Sequence, residues 1–283
     1  MLDHCAGRLL FFAPASTDRR GEPRTANASE TDVSLVRMYL EQLGGMARLG
    51  WGTARLALRR PFERQLWLDQ LYELGFRSLT ITNVTLLFTG MVLALQTGYS
   101  LAAYGGKPFV GDIVALSVVR ELGPVLTALM VAGRVGAGIT AELGSMAVTE
   151  QVDALRALAT SPVKKLVVPR VGALVLVLPL LTILAIVVAL FGSLLMAVLE
   201  IGQHRAYFLN HVILALTVPD LVSGVGKTVF FALLIGVIAC YNGLAASGGA
   251  DGVGRATTNT VVVSSIAVII ADFFLTKLFI VVL

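Results

Sequence analysis

The sequence contains little charge and little cysteine. Only 14% of its 283 residues are charged, whereas soluble domains carry roughly 25%. Hydrophobic residues make up 56% of the chain, and the mean hydropathy is +0.82. The two cysteines, Cys5 and Cys240, form no Cys-x-x-Cys pair, which argues against a zinc or thiol-redox motif. This composition excludes a disordered or fibrous chain and argues against a water-soluble globule.

Motifs for nucleotide binding and hydrolysis are also missing. The segment 224–228 reads Gly-Val-Gly-Lys-Thr, but Leu221 stands where a phosphate-binding loop requires glycine. The glycine-rich segment 248–254 lacks the third glycine of a dinucleotide-binding loop. His204 and His211 have no obvious third metal ligand, and no Gly-x-Ser-x-Gly or His-Glu-x-x-His occurs. We therefore expect no catalytic residue, no metal and no cofactor, and any use of ATP requires a separate chain.

Long uncharged segments dominate the rest of the chain. Ser78–Gly106 and Val171–Leu199 each contain 29 residues without a charge. A hydrocarbon core about 30 Å thick is crossed by roughly 20 helical residues, so each segment is long enough to span a membrane. The sequence predicts an all-α, polytopic membrane protein, whose five transmembrane helices lie at about 78–99, 113–143, 166–199, 228–246 and 261–283.

The region before the first span divides into three parts. Residues 1–30 are polar and are predicted to form a disordered N-terminal extension, with Met38 and Met46 as alternative start positions. Residues 31–60 predict an amphipathic helix that suits either the membrane interface or a soluble partner. After Pro61, a second polar helix is predicted at 63–77. We therefore expect interfacial and elbow helices over 31–77, followed by a five-span domain over 78–283.

Basic residues indicate the orientation. Eleven of the 22 Lys and Arg residues lie in positions 1–77, and four more follow the second span at Arg156, Lys164, Lys165 and Arg170. The positive-inside rule then places the N-terminus in the cytoplasm and the C-terminus outside. Nine acidic residues share the N-terminal segment, and no platform of aromatic and basic residues accompanies them, so nucleic-acid binding is not predicted.

The predicted spans contain several charged residues, and three of them, Arg120, Glu121 and Asp272, are the most informative. Arg120 and Glu121 are adjacent, so on a helix their side chains point about 100° apart. We expect them to neutralise charges on neighbouring helices, and the pair fits a structural lock between helices as well as a polar site for a substrate head group. Asp272 in the fifth span is predicted to pair with a basic residue of another span.

Two further features suggest binding surfaces. The first span places Thr89, Leu93, Gln96 and Ser100 on one helical stripe, which predicts a shared face towards other helices or a cavity. Residues 145–160 predict a polar helix between the second and third spans. Its mixed charges favour docking onto a partner protein over adhesion to anionic lipid.

Two blocks of sequence resemble the MlaE/YrbE permeases, and the similarity extends from about Gln70 to the C-terminus. The first block reads RELGPVLTAL from Arg120, then AGR from Ala132, AELGSM from Ala141 and TEQVDAL from Thr149. The second reads YNG from Tyr241, GVGRATT from Gly252, then Asp272-Phe273 and Leu275-Thr276.

The resemblance implies the membrane homodimer of an ABC transporter in a bacterial inner membrane. Its expected partners are a separate ATPase (MlaF-type), a STAS-domain protein that binds that ATPase (MlaB-type) and a periplasmic MCE-domain hexamer (MlaD-type). The expected cargo is phospholipid, moved between the inner membrane and the MCE protein to support outer-membrane lipid asymmetry. A membrane scaffold for an MCE protein, an ion-coupled transporter and transport of another lipid such as a sterol are alternatives.

The resemblance also assigns residues. Segment 150–155, within the predicted coupling helix 145–160, is implied to meet the ATPase through the residues Glu150, Gln151, Asp153, Leu155 and Arg156. The lipid cavity is implied to be lined by Leu93, Gln96, Tyr104, Arg120 and Glu121.

Overall fold

A computed structural model describes the backbone of residues 28–57 and 64–282 and the side chains of residues 40–56 and 67–281. The described part of the chain is helical and contains no strand. Five of its helices are long and apolar enough to cross a membrane, and one helix precedes them. The predicted all-α, five-span architecture is therefore confirmed. Most of the predicted extension 1–30 lies outside the described residues.

The first span belongs to one continuous helix, α2, which begins well before the predicted start of that span at residue 78. The N-terminal helix is α1 (Ala28–Ala57), and α2 covers Arg64–Ala102. The sequence predicted separate helices at 63–77 and 78–99. They are continuous because no proline or glycine-rich break separates the polar segment from the apolar one.

The second span contains two π-helical turns. Its α-helical parts are α3 (Val110–Ser117), α4 (Gly123–Val131) and α5 (Ala137–Val148). The π-helical turns are Val118–Leu122, which carries Arg120 and Glu121, and Ala132–Gly136, which carries Arg134. Such turns are frequent at functional sites.

The remaining helices are α6 (Gln151–Ala157), α7 (Val168–Leu199), α8 (Arg205–Ala215), α9 (Val218–Leu244) and α10 (Gly249–Val282). The predicted fourth span began ten residues too late, because Thr217 and Asp220 form a capping box that starts α9 earlier. The predicted loop 247–255 is mostly helix. At Gly252 a side chain would meet the Ser247 carbonyl, so this glycine is required by the close approach of α10 to the turn that precedes it.

The chain divides into two compact units, residues 1–45 and 46–283. The first unit exposes Leu40 and Leu43, each more than 60% accessible. In the second unit, Gly50 lies against the Val237 side chain of α9. The main core of that unit is built largely from apolar residues of the second to fifth spans, among them Ile139, Leu174 and Phe231, and also includes Leu74 of α2.

The loops gather at opposite ends of the bundle. At one end α8 contacts the start of the second span, where His211 Nδ1 lies 3.0 Å from Asp112 Oδ1. At the other end Gly144 of α5 packs on Val253 of α10. The Arg120–Glu121 turn lies between these two ends.

Candidate functional site

The Arg120–Glu121 turn is shaped by a proline. In an α-helix the amide of residue 124 would donate to the carbonyl of residue 120, but Pro124 has no N–H. Lys227 of α9 replaces that donor, because its Nζ lies 3.1 Å from the Arg120 carbonyl oxygen. The π-helical turn therefore exposes a backbone acceptor that a side chain of another span satisfies.

Arg120 pairs with the beginning of α9. Its Nε donates to Asp220 Oδ1 at 2.6 Å, and its Nη2 contacts the same oxygen. The other carboxylate oxygen of Asp220 accepts from the backbone amide and the hydroxyl of Thr217, at 2.9 and 2.7 Å. The Asp220 side chain is 5% exposed, whereas that of Arg120 is 51% exposed. One edge of the Arg120 guanidinium is thus held by Asp220, and the rest of the side chain is exposed.

Glu121 pairs with Lys227, which joins three spans. Lys227 Nζ lies 2.8 and 2.9 Å from the two Glu121 carboxylate oxygens and 3.2 Å from Asp272 Oδ1. It also donates to the Thr276 hydroxyl at 2.6 Å. The Lys227 side chain is 1% exposed and that of Glu121 is 41% exposed. The prediction that Asp272 pairs with a basic residue of another span is confirmed.

The charges of this cluster compensate one another only in part. When all five groups are ionised, two cations face three carboxylates: Arg120, Lys227, Asp220, Glu121 and Asp272. Burying an unpaired charge in a membrane protein costs several kcal/mol, and paired groups avoid most of that cost. The cluster therefore holds the π-helical turn against α9 and α10, while Arg120 and Glu121 keep exposed edges.

An open groove lies beside this turn, on the face of α2. It has a volume of about 490 Å³ and is lined by Thr85, Phe88, Thr89, Val92, Leu93, Gln96 and Leu122. The stripe predicted on the first span thus contributes three of its four residues to a common surface. Arg120 and Glu121 immediately precede the lining residue Leu122. Tyr104 is 88% exposed in the turn after α2 and is not among the lining residues.

The predicted coupling helix 145–160 is interrupted. α5 ends at Val148, and Glu150 adopts a left-handed conformation with φ 60°. The segment is therefore divided between the last turn of α5 and the seven-residue helix α6. Val152 is buried, and Leu155 packs against the core. These two side chains anchor α6 to the bundle.

The remaining α6 residues face outwards. Asp153 and Arg156 form an exposed ion pair of 2.7 Å, and Leu158 is 75% exposed just after the helix. Glu150 and Gln151 are exposed as well. The arrangement presents a small, mixed-charge surface with one apolar side chain, at the bundle end opposite α8.

The Gly-Lys-Thr segment and His211 have structural roles. The Gly-Lys-Thr segment lies inside α9, where Gly224 packs against the Val119 carbonyl and Lys227 is buried in ion pairs. His211 pairs with Asp112 across two helices. Among the described residues no group of three His, Cys, Asp or Glu side chains is placed to hold a metal ion.

Sequence comparison identifies the family. The pattern of the family described as Permease MlaE matches residues 67–278, which is most of the chain. The chain belongs to the MlaE permease family. The matched range contains all of the residues that form the charge cluster, the groove and α6.

The similarity between this MlaE permease and individual relatives extends over most of the length of each relative. A probable ABC transporter permease protein of Rickettsia conorii is 39% identical over 241 residues, covering 85% of this chain and 93% of the relative. The intermembrane phospholipid transport system permease protein MlaE of Haemophilus influenzae is 39% identical over 252 residues, covering 87% and 95%. A probable ABC transporter permease protein of Synechocystis is 41% identical over 221 residues, covering 78% and 84%. These similarities identify this multi-pass membrane protein as an ABC transporter permease.

Proposed function

We propose that this permease moves phospholipid between the bacterial inner membrane and a periplasmic MCE lipid-binding protein, and so supports outer-membrane lipid asymmetry. The observation that carries the proposal is the groove on α2, with the half-exposed Arg120 next to its Leu122 end. A phospholipid combines apolar chains with an anionic phosphate. Apolar lining residues suit the chains, and an arginine at the edge suits the phosphate. The name of the Haemophilus relative supports the same cargo.

The working unit in this proposal is a complex. Two copies of the chain form a homodimer, so that two grooves enclose one lipid cavity lined by Leu93, Gln96, Tyr104, Arg120 and Glu121. The sequence carries no phosphate-binding loop, so ATP is hydrolysed by a separate MlaF-type ATPase, to which an MlaB-type STAS protein binds. An MlaD-type MCE hexamer receives or supplies lipid on the periplasmic side.

The exposed side of α6 is the proposed contact with the ATPase. Glu150, Gln151, Asp153 and Arg156 supply polar contacts, while Leu155 holds the helix on the bundle. This assignment places the α6 end in the cytoplasm together with the N-terminus, and the α8 end with the C-terminus in the periplasm. The excess of basic residues near the α6 end supports this orientation.

Lipid movement follows from a change in cavity shape. Closure of the ATPase dimer on ATP tilts α6, and α6 is packed on α5, which continues through the π-helical turn at Arg134 into α4. Narrowing of the cavity then expels lipid towards the MCE protein. The free energy comes from ATP, because a lipid that binds both cavity shapes equally well shifts neither.

The test is lipid transfer by the reconstituted complex with the variant Leu93→Arg. We expect this cation in the groove to lower bound phospholipid and ATP-dependent transfer at least tenfold without separating the dimer. Leu68→Arg is the matched control, because Leu68 is exposed on the same helix outside the groove. Unchanged lipid content in Leu93→Arg would remove the groove from the lipid path. Transfer without ATP would support an ion-coupled transporter, and no transfer by the native complex would support a scaffold.

A further inference from the structure

Arg134 is a cation that the charge cluster does not use. It lies in the second π-helical turn of span two, and its side chain is exposed. Its Nη1 donates to the Ser78 hydroxyl of α2 at 3.3 Å. Among residues 40–56 and 67–281, no carboxylate lies within 4.0 Å of it, in contrast to Arg120 and Arg170. An exposed arginine within a span is costly unless an anion or water meets it.

Arg134 lies on the seam that continues the groove. Thr85, a lining residue, contacts Met130 across the α2–α4 seam, with 3.8 Å between the hydroxyl and the sulfur. One turn beyond Met130 is Arg134, and two turns before Thr85 is Ser78. The Arg134–Ser78 contact therefore closes the seam at the end of the groove that is farther from Arg120.

Arg120 and Arg134 lie at different depths along the second span. Arg134 follows Arg120 by fourteen residue steps, or about 21 Å at 1.5 Å per residue. One leaflet contributes roughly 15 Å to the hydrocarbon core. The residue before Ser78 is Arg77, which forms an exposed ion pair with Glu73 and indicates the polar boundary of α2. Arg134 thus lies near head-group level at the α6 end, whereas Arg120, about 21 Å further along the span, lies beyond the middle of a core about 30 Å thick.

The surroundings of Arg134 leave room for a bulky anion. The neighbouring Gly133 and the following Gly138 are exposed, and a side-chain carbon built on either would meet no atom within 4 Å. The Ser78 hydroxyl donates to the Leu74 carbonyl at 2.7 Å, so it turns a lone pair towards Arg134 and helps to fix the guanidinium. Four of the five guanidinium hydrogens remain for a ligand.

We propose that Arg134, fixed by Ser78, binds the phosphodiester of a phospholipid at the α6 end of the groove, as a second head-group position distinct from that at Arg120. The inference rests on the proposed function, because it assigns an entry or exit point to the same lipid path. A phosphate pairs with arginine through charge-assisted, bidentate hydrogen bonds. A lipid whose head group is held at Arg134 has its chains beside the apolar groove residues.

The experiment uses the full complex in nanodiscs that contain a phosphatidylglycerol with a photoreactive head group. Cross-linked peptides are identified by mass spectrometry at two places, around Ser78 and around Gln96. We expect Arg134→Gln to lower labelling around Ser78 about tenfold, which corresponds to about 1.4 kcal/mol. Labelling around Gln96 should change less than twofold. Arg77→Gln is the matched control, since Arg77 adjoins Ser78 but is already paired with Glu73.

Two further variants distinguish the loss of the positive charge from misfolding of the protein. Arg134→Lys retains the cation and should recover most of the labelling that Arg134→Gln loses. Gly138→Leu keeps the arginine, fills the open space and adds helix propensity, so it should lower labelling around Ser78 in a stable protein.

Each of the other possible outcomes contradicts a specific part of the proposal. Unchanged labelling around Ser78 in Arg134→Gln, with normal labelling around Gln96, refutes the second position and leaves the proposed function intact. Absence of labelling at both places in the native complex refutes the lipid groove itself. A loss of dimer in Arg134→Gln with unchanged labelling would show that Arg134 pairs with a second copy. If inorganic phosphate by itself abolished the labelling around Ser78, the position would be a site for free phosphate.

Discussion

The ammonium group of Lys227 takes the place of the amide hydrogen that Pro124 lacks. It donates to the Arg120 carbonyl at 3.1 Å and simultaneously binds both carboxylate oxygens of Glu121. A proline in one span is therefore compensated by a lysine that lies more than 100 residues later in the chain. This relationship explains how a buried lysine is tolerated in an apolar helix bundle.

Lys227→Met should destabilise the permease strongly. Removal of the cation leaves Glu121 and Asp272 facing each other and the Arg120 carbonyl without a donor, so we expect a loss of about 3–5 kcal/mol. Thermal unfolding in mild detergent measures it. Lys277→Met is the control, because Lys277 is exposed on α10 and should change stability by less than about 0.5 kcal/mol. Equal effects of both variants would contradict the central role of Lys227.

Thr260→Val tests a second buried polar contact among three helices. The Thr260 hydroxyl lies 2.9 Å from Thr140 Oγ1 and accepts from Asn242 Nδ2 at 2.9 Å. Interhelical hydrogen bonds of this kind contribute about 0.6 kcal/mol on average and up to about 1.7. We expect a loss towards the upper value, measured by unfolding in detergent. Thr258→Val, at an exposed position of the same helix, should have little effect, and a larger loss there would refute the assignment.

Charge reversal at α6 tests the proposed ATPase contact. Glu150→Lys combined with Asp153→Lys should abolish co-purification of the ATPase while the permease stays folded, because both carboxylates are exposed. Among the side chains that the structure describes, only Asp153 of the two has an ion-pair partner. Surface ion pairs contribute at most about 1 kcal/mol, so folding should be unaffected. Asp251→Lys supplies the control at an exposed acidic residue of α10. Normal ATPase binding by the double variant would exclude α6 as the docking element.

Gly90→Ala tests the close approach of α2 and α7. A methyl group at Gly90 would collide with the Ala189 carbonyl oxygen, so the helices must separate at a cost of about 1–3 kcal/mol. Gly52→Ala should instead be neutral or stabilising by up to about 1 kcal/mol, since nothing lies within 4 Å of its side-chain position. Thermal unfolding of both variants measures this difference in stability. A stable Gly90→Ala protein would mean that the two helices are not tightly packed there.

The sequence was sufficient to predict the spans and the behaviour of the intramembrane charges. Two uncharged segments are each longer than a bilayer core, and three further apolar segments contain few charges, so five membrane-spanning helices were predictable. Adjacent helical residues point in different directions, and Arg120 and Glu121 do pair with different residues, Asp220 and Lys227. These partners were not predicted, because packing decides which helices are neighbours. The capping pattern from Thr217 to Asp220 was the available signal for Asp220.

The break before α6 could not be predicted in the same way. Glutamate seldom adopts positive φ, so nothing in the segment around Glu150 predicted a left-handed residue there. One helix was predicted over 145–160, yet the chain turns at Glu150 and again at Ala159, which also has positive φ. The lipid contacts of Leu93, Gln96 and Tyr104 stay predictions, as do the partner contacts of α6.

The length of α2 has a mechanical consequence. From Arg64 to Gln96 the helix covers 32 residue steps, or about 48 Å, without the joint that separate helices would have supplied. A rigid rod of that length converts each degree of tilt at one end into a displacement of roughly 0.8 Å at the other. A force applied to the polar end of α2 is therefore transmitted along the helix to the groove residues between Thr85 and Gln96.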